Sequence, residues 1–388
     1  MGIKAARSDP AFALMLACAK GLGEDRCSDA DLREASRRFG GDWDLFAELL
    51  DRHHMLLPAS IALKRAGIEL SANLNAAAQQ QQMRALRLCA RSLQLLDDLA
   101  HAGIDAVLLK GPVLSQQIFG DPAIRHSTDI DILIDWEQFH AAIVVLEGLG
   151  LELHGNRPPQ SSWRGGQWRE LAKDVTLLDR QSGFAIELHH RLKSPAALLP
   201  DLGIDDATET LAMSGRSLRV FSRDDLFVYL CAHGATSLWD RLKWLADIRA
   251  MIEGLDNDAI AQLQDHSHRH GTERCSALAL LLIHDLWGRD LPQSLLDLRM
   301  ADPVIEDLLR ASHKRLHGDE RRHSSIANTF ARRHLARLRK DKAYRKALRR
   351  EFLYDRELLE RYPLSKRTRW LYFPLRLMLF AKRKLGIS

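Results

Sequence analysis

The sequence predicts an α+β protein, a small mixed β-sheet flanked by helical N- and C-terminal parts. Three observations carry this. Residues 1–100 hold helical spacing throughout. Ile104 to His190 interleaves short apolar runs with helical ones, and from Asp224 the pattern returns to helices. A chain of 388 residues has room for two or three packed modules. The divisions expected are 1–103 helical, 104–220 the α/β core, 221–310 a helical part closing a cleft and 311–388 a basic helical tail.

The elements follow in order. Ala11–Ala19 reads as an amphipathic helix with no convincing cleavage site after it. Ser28 with Asp31 marks a helix start, followed by Leu32, Ala35 and Phe39 at helical spacing. Trp43–Lys64 carries two more short helices, with Pro58 expected at the join. Asn75–His101 is one long helix, its run Gln79–Gln82 on the exposed side, stopped by Gly103. Ile104–Leu109 is a short apolar run suited to a buried strand, then comes a helical stretch, Val113–Phe119. Thr128–Asp135 alternates acidic and apolar residues, the pattern of a strand with two unlike faces. Trp136–Leu149 is helical, and Leu151–His154, Asp174–Asp179 and Phe184–His190 are strand candidates. Helices on one face of the sheet are expected. Four helices are expected next: Asp224–His233, Leu238–Glu253, Asp258–His268 and Glu273–Leu286.

The net charge of +5 hides an asymmetry. Residues 311–388 hold 23 Lys and Arg against 7 Asp and Glu, which leaves 33 basic and 44 acidic residues before them. An anion-seeking surface is therefore expected in the tail. Five scattered cysteines without a CxxC pair support neither a zinc site nor a disulfide framework, and suggest a reducing cytoplasm. No apolar run reaches the roughly 18 residues that a membrane span needs.

The chemistry concentrates in the sheet region. Asp129 and Asp131 are two apart in a strand, so both carboxylates share one face while Ile130 and Ile132 take the other. Paired acids repel unless a cation sits between them, and carboxylate oxygens suit magnesium. Upstream, Gly111 follows an apolar strand and precedes a helix, where backbone amides attract phosphate, and Lys110 adds a cation. Downstream, Phe184–His190 alternates so that Glu187 and His189 share a face. A third carboxylate on a neighbouring strand would complete a two-metal site for in-line displacement.

The order LKG, a loop with Arg125, DIDILID and then IELHH resembles the nucleotidyltransferase superfamily that includes DNA polymerase beta. More narrowly it resembles the bacterial family of uncharacterised nucleotidyltransferases, over about residues 40–290. The resemblance implies that Asp129, Asp131 and Glu187 hold Mg2+ or Mn2+, and that Glu187 helps to deprotonate an acceptor hydroxyl. It further implies that Gly111 cradles the triphosphate of an NTP such as ATP, with Lys110 and Arg125 as charge partners. His189, on the face of Glu187, could bind phosphate, tune a metal ligand or be hydrogen-bonded in the cleft without a part in catalysis. The acceptor could be a small molecule, a sugar, a peptide or RNA. Pro112 stands where the wider superfamily usually has Ser, so one phosphate contact must come from elsewhere. A glycosyltransferase with paired acids on a nucleotide-sugar, and a degenerate nucleotide-sensing protein whose tail binds RNA or membrane, are the alternatives.

Other residues invite lesser roles. His233, Trp239, Arg241, Trp244 and Asp247 fall in the helical part after the sheet, where Trp244 and Asp247 could line a cleft wall. Aromatic residues at helical intervals suit a core better, so both tryptophans are expected to pack there. His266 and His270 lie one turn apart, but Gly271 follows, which suggests a fraying end with histidines facing water. The cations from Arg332 to Arg350 suit either a face paired with the acidic body or a phosphate-backbone surface. Arg369–Lys384 mixes Trp370, Tyr372, Phe373, Leu377, Leu379 and Phe380 with cations, a composition for docking on the protein's own core or peripherally on an anionic membrane.

Overall fold

Short polar side chains set the helix starts near the N-terminus. Ser28 accepts the Asp31 N–H, Asp42 accepts those of Asp44 and Leu45, and Ser71 accepts that of Leu74. In the computed structural model, which describes residues 9–20, 27–160, 162–318, 333–353, 356–362 and 364–385, these caps open three of the first five helices. The five are α1 (Pro10–Lys20), α2 (Asp29–Phe39), α3 (Trp43–His53), α4 (Leu56–Arg65) and α5 (Ala72–His101). Two expectations change here. Helix α1 is buried nearly all round, at Phe12, Leu14, Met15, Leu16, Cys18 and Ala19, and so is a core helix rather than an amphipathic one. The join between α3 and α4 is at His54, whose φ is 56°, and not at Pro58. Pro58 sits in the first turn of α4, where its missing N–H has no helical partner to lose.

The sheet is mixed, as expected. Its strands are β1 (Ala106–Leu108), β2 (Asp129–Ile134), β3 (Glu152–His154), β4 (Asp174–Asp179) and β5 (Phe184–His189), in the order β1-β2-β5-β4-β3. Only the central pair, β2 and β5, runs parallel. Helices α6 (Pro112–Phe119), α7 (Trp136–Gly148) and α8 (Ser162–Leu171) connect the strands. Ile130, Ile132, Ile134, Val175, Leu177, Ile186 and Leu188 form the apolar face and share a core with α5 and α7. Arg91 of α5 pairs at 2.7 Å with Asp179 on this same side. Helices pack on both faces, not on one as expected: on the other face Val107 and Leu133 join the core of the N- and C-terminal helices, beside the polar residues of β2 and β5.

A hairpin follows that the sequence reading passed over: β6 (Glu209–Met213) and β7 (Arg216–Val220). Its turn is Ser214-Gly215 with φ of 50° and 76°, the left-handed pair of a two-residue hairpin turn. Ser-Gly is a weaker version of the Asn-Gly signal, which explains the omission.

The C-terminal helices are α9 (Arg223–Thr236), α10 (Leu242–Met251), α11 (Asn257–Arg269), α12 (Glu273–Trp287), α13 (Gln293–Ala301) and α14 (Pro303–His317). Cys275 through Ile283 are all buried, so α12 is the axis of a core shared with α1–α4. Trp287 Nε1 donates to the Leu16 carbonyl at 3.0 Å across that core. The described cysteines form no disulfide, and no described helix is long and apolar enough to cross a membrane.

The basic segment folds back onto the body through α15 (Lys342–Leu353), α16 (Arg356–Arg361) and α17 (Tyr372–Leu385). Arg337 pairs with Asp307 at 2.8 Å, Arg350 with Glu170 at 2.6 Å and Arg356 with Asp174 at 3.5 Å. Leu358, Leu359 and Tyr372 complete the sheet core. Much of this segment therefore pairs with the acidic body, one of its two expected uses. Arg332 and the side chains of Leu379 and Phe380 lie outside the described residues.

Trp239 is fully buried at a φ of 53°, and its ring fits only because residue 234 is glycine. A Cβ on Gly234 would stand 2.3 Å from that ring. We expect Gly234→Ala to destabilise the protein by about 1–3 kcal/mol, measured by denaturant unfolding.

Candidate active site

The β2–β5 register assembles the site. Asp131 stands directly opposite Glu187, Asp129 opposite Ala185 and Leu133 opposite His189. Because alternate residues face opposite ways, Ile130, Ile132, Ile186 and Leu188 sink into the core while the acids and His189 share the other face. Asp131 and His189 are nearly inaccessible, and Glu187 keeps 30% of its side-chain surface at the cleft.

His189 Nε2 lies 2.9 Å from Asp131 Oδ1 and 3.3 Å from Glu187 Oε2, so one imidazole bridges both carboxylates. Lys110 Nζ is 3.0 Å from Asp131, while Lys173 Nζ is 3.2 Å from Glu187 and also pairs with Asp174. Burial pushes the Asp131 carboxyl up, but Lys110 and His189 outweigh it and hold the group well below the usual range. The hydrogen bond from His189 leads in lowering Glu187 to about 2, with Lys173 adding to it against the cost of burial. Asp129 goes the other way, raised by burial and by Asp131. A carboxylate held as low as Glu187 is a weak base, and Asp129 is the more basic of the three.

Gly111 lies where the sequence put it, between β1 and α6, with φ 68° and ψ −133°. A Cβ there would press on Ser127 Oγ at 3.3 Å. Pro112 is the first residue of α6, the position where a missing N–H costs the helix nothing. Arg125 is 5% exposed, and its Nε donates to both oxygens of Asp247 on α10, at 3.0 and 2.9 Å. That pair clamps the loop before β2 to the C-terminal helices and ties Arg125 to Asp247.

Three cations that sequence reasoning missed lie near the carboxylates: Lys173, Lys193 and Lys243. Lys193 Nζ donates to Thr236 Oγ1 at 3.0 Å and Lys243 Nζ to the His126 carbonyl at 3.4 Å. Burial leads in pushing each down to about 7, with Lys173 and Lys110 adding to the effect on Lys193 and Arg125 to that on Lys243. Burial and the lysines also hold His233 neutral, well below its ordinary pKa. Only the position of Lys243 within the stretch LKWLAD could have drawn notice, since nothing else separates these lysines from the chain's 56 Lys and Arg.

The donor set fits a divalent cation. The ligand atoms of Asp131, Glu187 and His189 lie within 4.8 Å of one another, and Asp129 stands beside that group rather than in it. His189 Nδ1 is buried without a hydrogen-bond partner and faces Asp174 Oδ2 at 3.8 Å. With a cation on Nε2, the ring proton would move to Nδ1 and point at that carboxylate, the usual support for a metal-bound histidine.

Residues 40–288 match the family of uncharacterised nucleotidyltransferases. The chain belongs to that family. Membership makes it a transferase that acts on a nucleotide, and the match covers β2, β5 and all the cleft lysines. No curated protein matches the chain.

Away from the cleft, Trp239 is core as expected, and Trp244 packs partly buried with its ring edge on His233, 5.2 Å between centroids. The expectation for His266 and His270 needs correcting. They are half-buried rather than facing water, because His266 Nε2 bonds Asp225 of α9 at 2.8 Å. Arg269 donates to the other ring nitrogen at 2.7 Å, and the ligand atoms of Asp225, His266 and His270 lie within 4.8 Å of one another.

Asp247→Ala would leave the Arg125 guanidinium buried and uncompensated. We expect a loss of about 3–5 kcal/mol in thermal or denaturant unfolding, much larger than for a surface ion pair.

Proposed function

We propose that the cleft binds an NTP with a divalent cation and moves its NMP group to a hydroxyl acceptor, releasing pyrophosphate. The observation that carries the reading is Asp131 opposed to Glu187 in strand register, with lysines on every side. Asp131, Glu187 and His189 would hold the cation, with Asp129 alongside. A bound divalent cation would polarise the α-phosphate and favour the departure of pyrophosphate.

This chain's own residues do the rest. Lys110 and Lys173 lie on the carboxylates that a cation would neutralise, so its arrival would free both ammonium groups for phosphate oxygens. Lys193 and Lys243 add charge from the walls. Together they offset what Pro112 removes, one N–H at the glycine turn. The Arg125–Asp247 pair positions the loop beneath the nucleotide rather than touching it. Asp129, with the raised carboxyl, is the best placed of the acids to accept the acceptor's proton. ATP is the donor to try first.

Two measurements follow. Thermal shift with an NTP panel, with and without magnesium, should show magnesium-dependent stabilisation in the wild type but not in Asp129→Asn/Asp131→Asn. Transfer from α-labelled NTP should fall at least about a hundredfold in the same variant. Equal shifts in both proteins would take the cation away from these aspartates.

The lysines give a pH test. A lysine lowered to about 7 is charged below that value and neutral above it. A bound polyphosphate favours the charged form, so binding at about pH 8 must draw protons from solution. Calorimetry in two buffers of different ionisation enthalpy should report this uptake, and Lys193→Met and Lys243→Met should each reduce it. Binding without proton uptake would separate these lysines from the phosphates.

A further inference from the structure

We propose that α17 and the turn before it form a docking surface for an anionic lipid bilayer. One side of this segment is anchored to the protein. Tyr372 is buried and donates its hydroxyl to the Tyr362 carbonyl at 2.6 Å, Trp163 stacks on its ring, and Arg376 donates to the Glu351 carbonyl at 2.8 Å. The other side is open. Trp370 is 67% exposed, Phe373 47%, Leu377 53% and Met378 44%.

Trp370, Phe373 and Leu377, at intervals of three and four, line one stripe of the helix and its lead-in, and Met378, about 100° round from Leu377, widens the open side. They make up four of the twelve large apolar residues exposed among the described residues, gathered into nine positions of chain. The other eight are spread over residues 45 to 300. An apolar patch kept in water is costly unless something covers it, and a cluster marks a binding surface where scattered residues do not.

Charge identifies what covers it. Lys366, Arg367 and Arg369 are all exposed at the edge of the patch. From Arg361 to Ser388 the chain holds eight Lys and Arg and no Asp or Glu, whereas residues 1–310 are net acidic. Cations beside Trp, Phe and Leu match a negatively charged lipid surface, with the rings at headgroup depth and the ammonium and guanidinium groups on the phosphates. A polynucleotide would use the cations and the aromatic rings but has no use for exposed Leu377 and Met378. A second copy of this chain would set cation against cation. The anchored side of α17 keeps the stripe pointing outward without any unfolding.

Flotation of the full chain with lipid vesicles tests this. One set contains only zwitterionic phosphatidylcholine, the other about 30% phosphatidylglycerol. We expect binding to the anionic set only, weakened by salt. Two triple variants, Trp370→Ser/Phe373→Ser/Leu377→Ser and Lys366→Glu/Arg367→Glu/Arg369→Glu, should each lower the vesicle-bound fraction at least about tenfold. Both change exposed positions, so unchanged melting and nucleotide-induced thermal shifts will verify that they fold.

Three results overturn the proposal. The first is wild-type protein left unbound by anionic vesicles. The second is full binding by the apolar variant, which would reduce the effect to charge alone. The third is a wild-type dimer that the apolar variant dissociates while vesicle binding stays the same, which would assign the stripe to self-association.

Discussion

Two carboxylates set side by side on neighbouring parallel strands, in a cleft that shields them from water, demand positive charge. Asp131 and Glu187 stand in that relation, and much of the surrounding structure answers it. His189 bridges them, Lys110 and Lys173 pair with them, and the strands that carry them are fixed by isoleucines and leucines on the opposite face. Between poorly solvated carboxylates the repulsion is large, and these cations offset it in the folded chain. Under the proposed function, the same two carboxylates would release their lysines to a substrate's phosphates once a divalent cation took their place. Stability without ligand and function with ligand would then rest on one set of charges.

The helical parts supply what the sheet cannot. Lys243 and Asp247 come from α10, and His233 and Thr236 from α9. The buried Arg125–Asp247 pair joins these helices to the loop that feeds β2. A buried pair of this kind contributes little net stability but allows few alternative arrangements, since breaking it strands a charge. It fixes α10 against the loop that feeds β2. The C-terminal segment adds a further brace, since Arg356 reaches Asp174 beside the site and its neighbours Leu358 and Leu359 fill the sheet core.

Much of the fold was legible because alternation and helical spacing are local. The acid–apolar alternation of residues 128–135 fixed which side chains share a face, and Ser28 with Asp31 marked a helix start that the structure keeps. Asp129 with Asp131, and Glu187 with His189, could be paired before any coordinates, because a period of two puts each pair on one face; the register that sets Asp131 against Glu187 was not legible. The failures were local signals of the wrong strength or sign. Ser214-Gly215 was too weak a turn signal to reveal the β6–β7 hairpin. Pro58 was a strong breaker that happened to fall in a first turn. The burial of α1 on nearly all sides comes from α2, α3, α4 and α10, with Trp287 of α12 and His317 of α14 added, and no pattern within α1 encodes that.

By itself the sequence determined the class of fold, the two acid-bearing strands, the glycine turn and a basic C-terminal segment, since each is written in neighbouring residues. Only the tertiary structure decided the rest: that Arg125 is taken by Asp247, that Lys193 and Lys243 lie near the carboxylates, and that Trp370, Phe373 and Leu377 stay outside the core. The reason is the range of the forces involved. Backbone geometry and side-chain alternation act between residues a few places apart. Desolvation and charge pairing act through space, between groups whose distance along the chain says nothing about their distance in the fold.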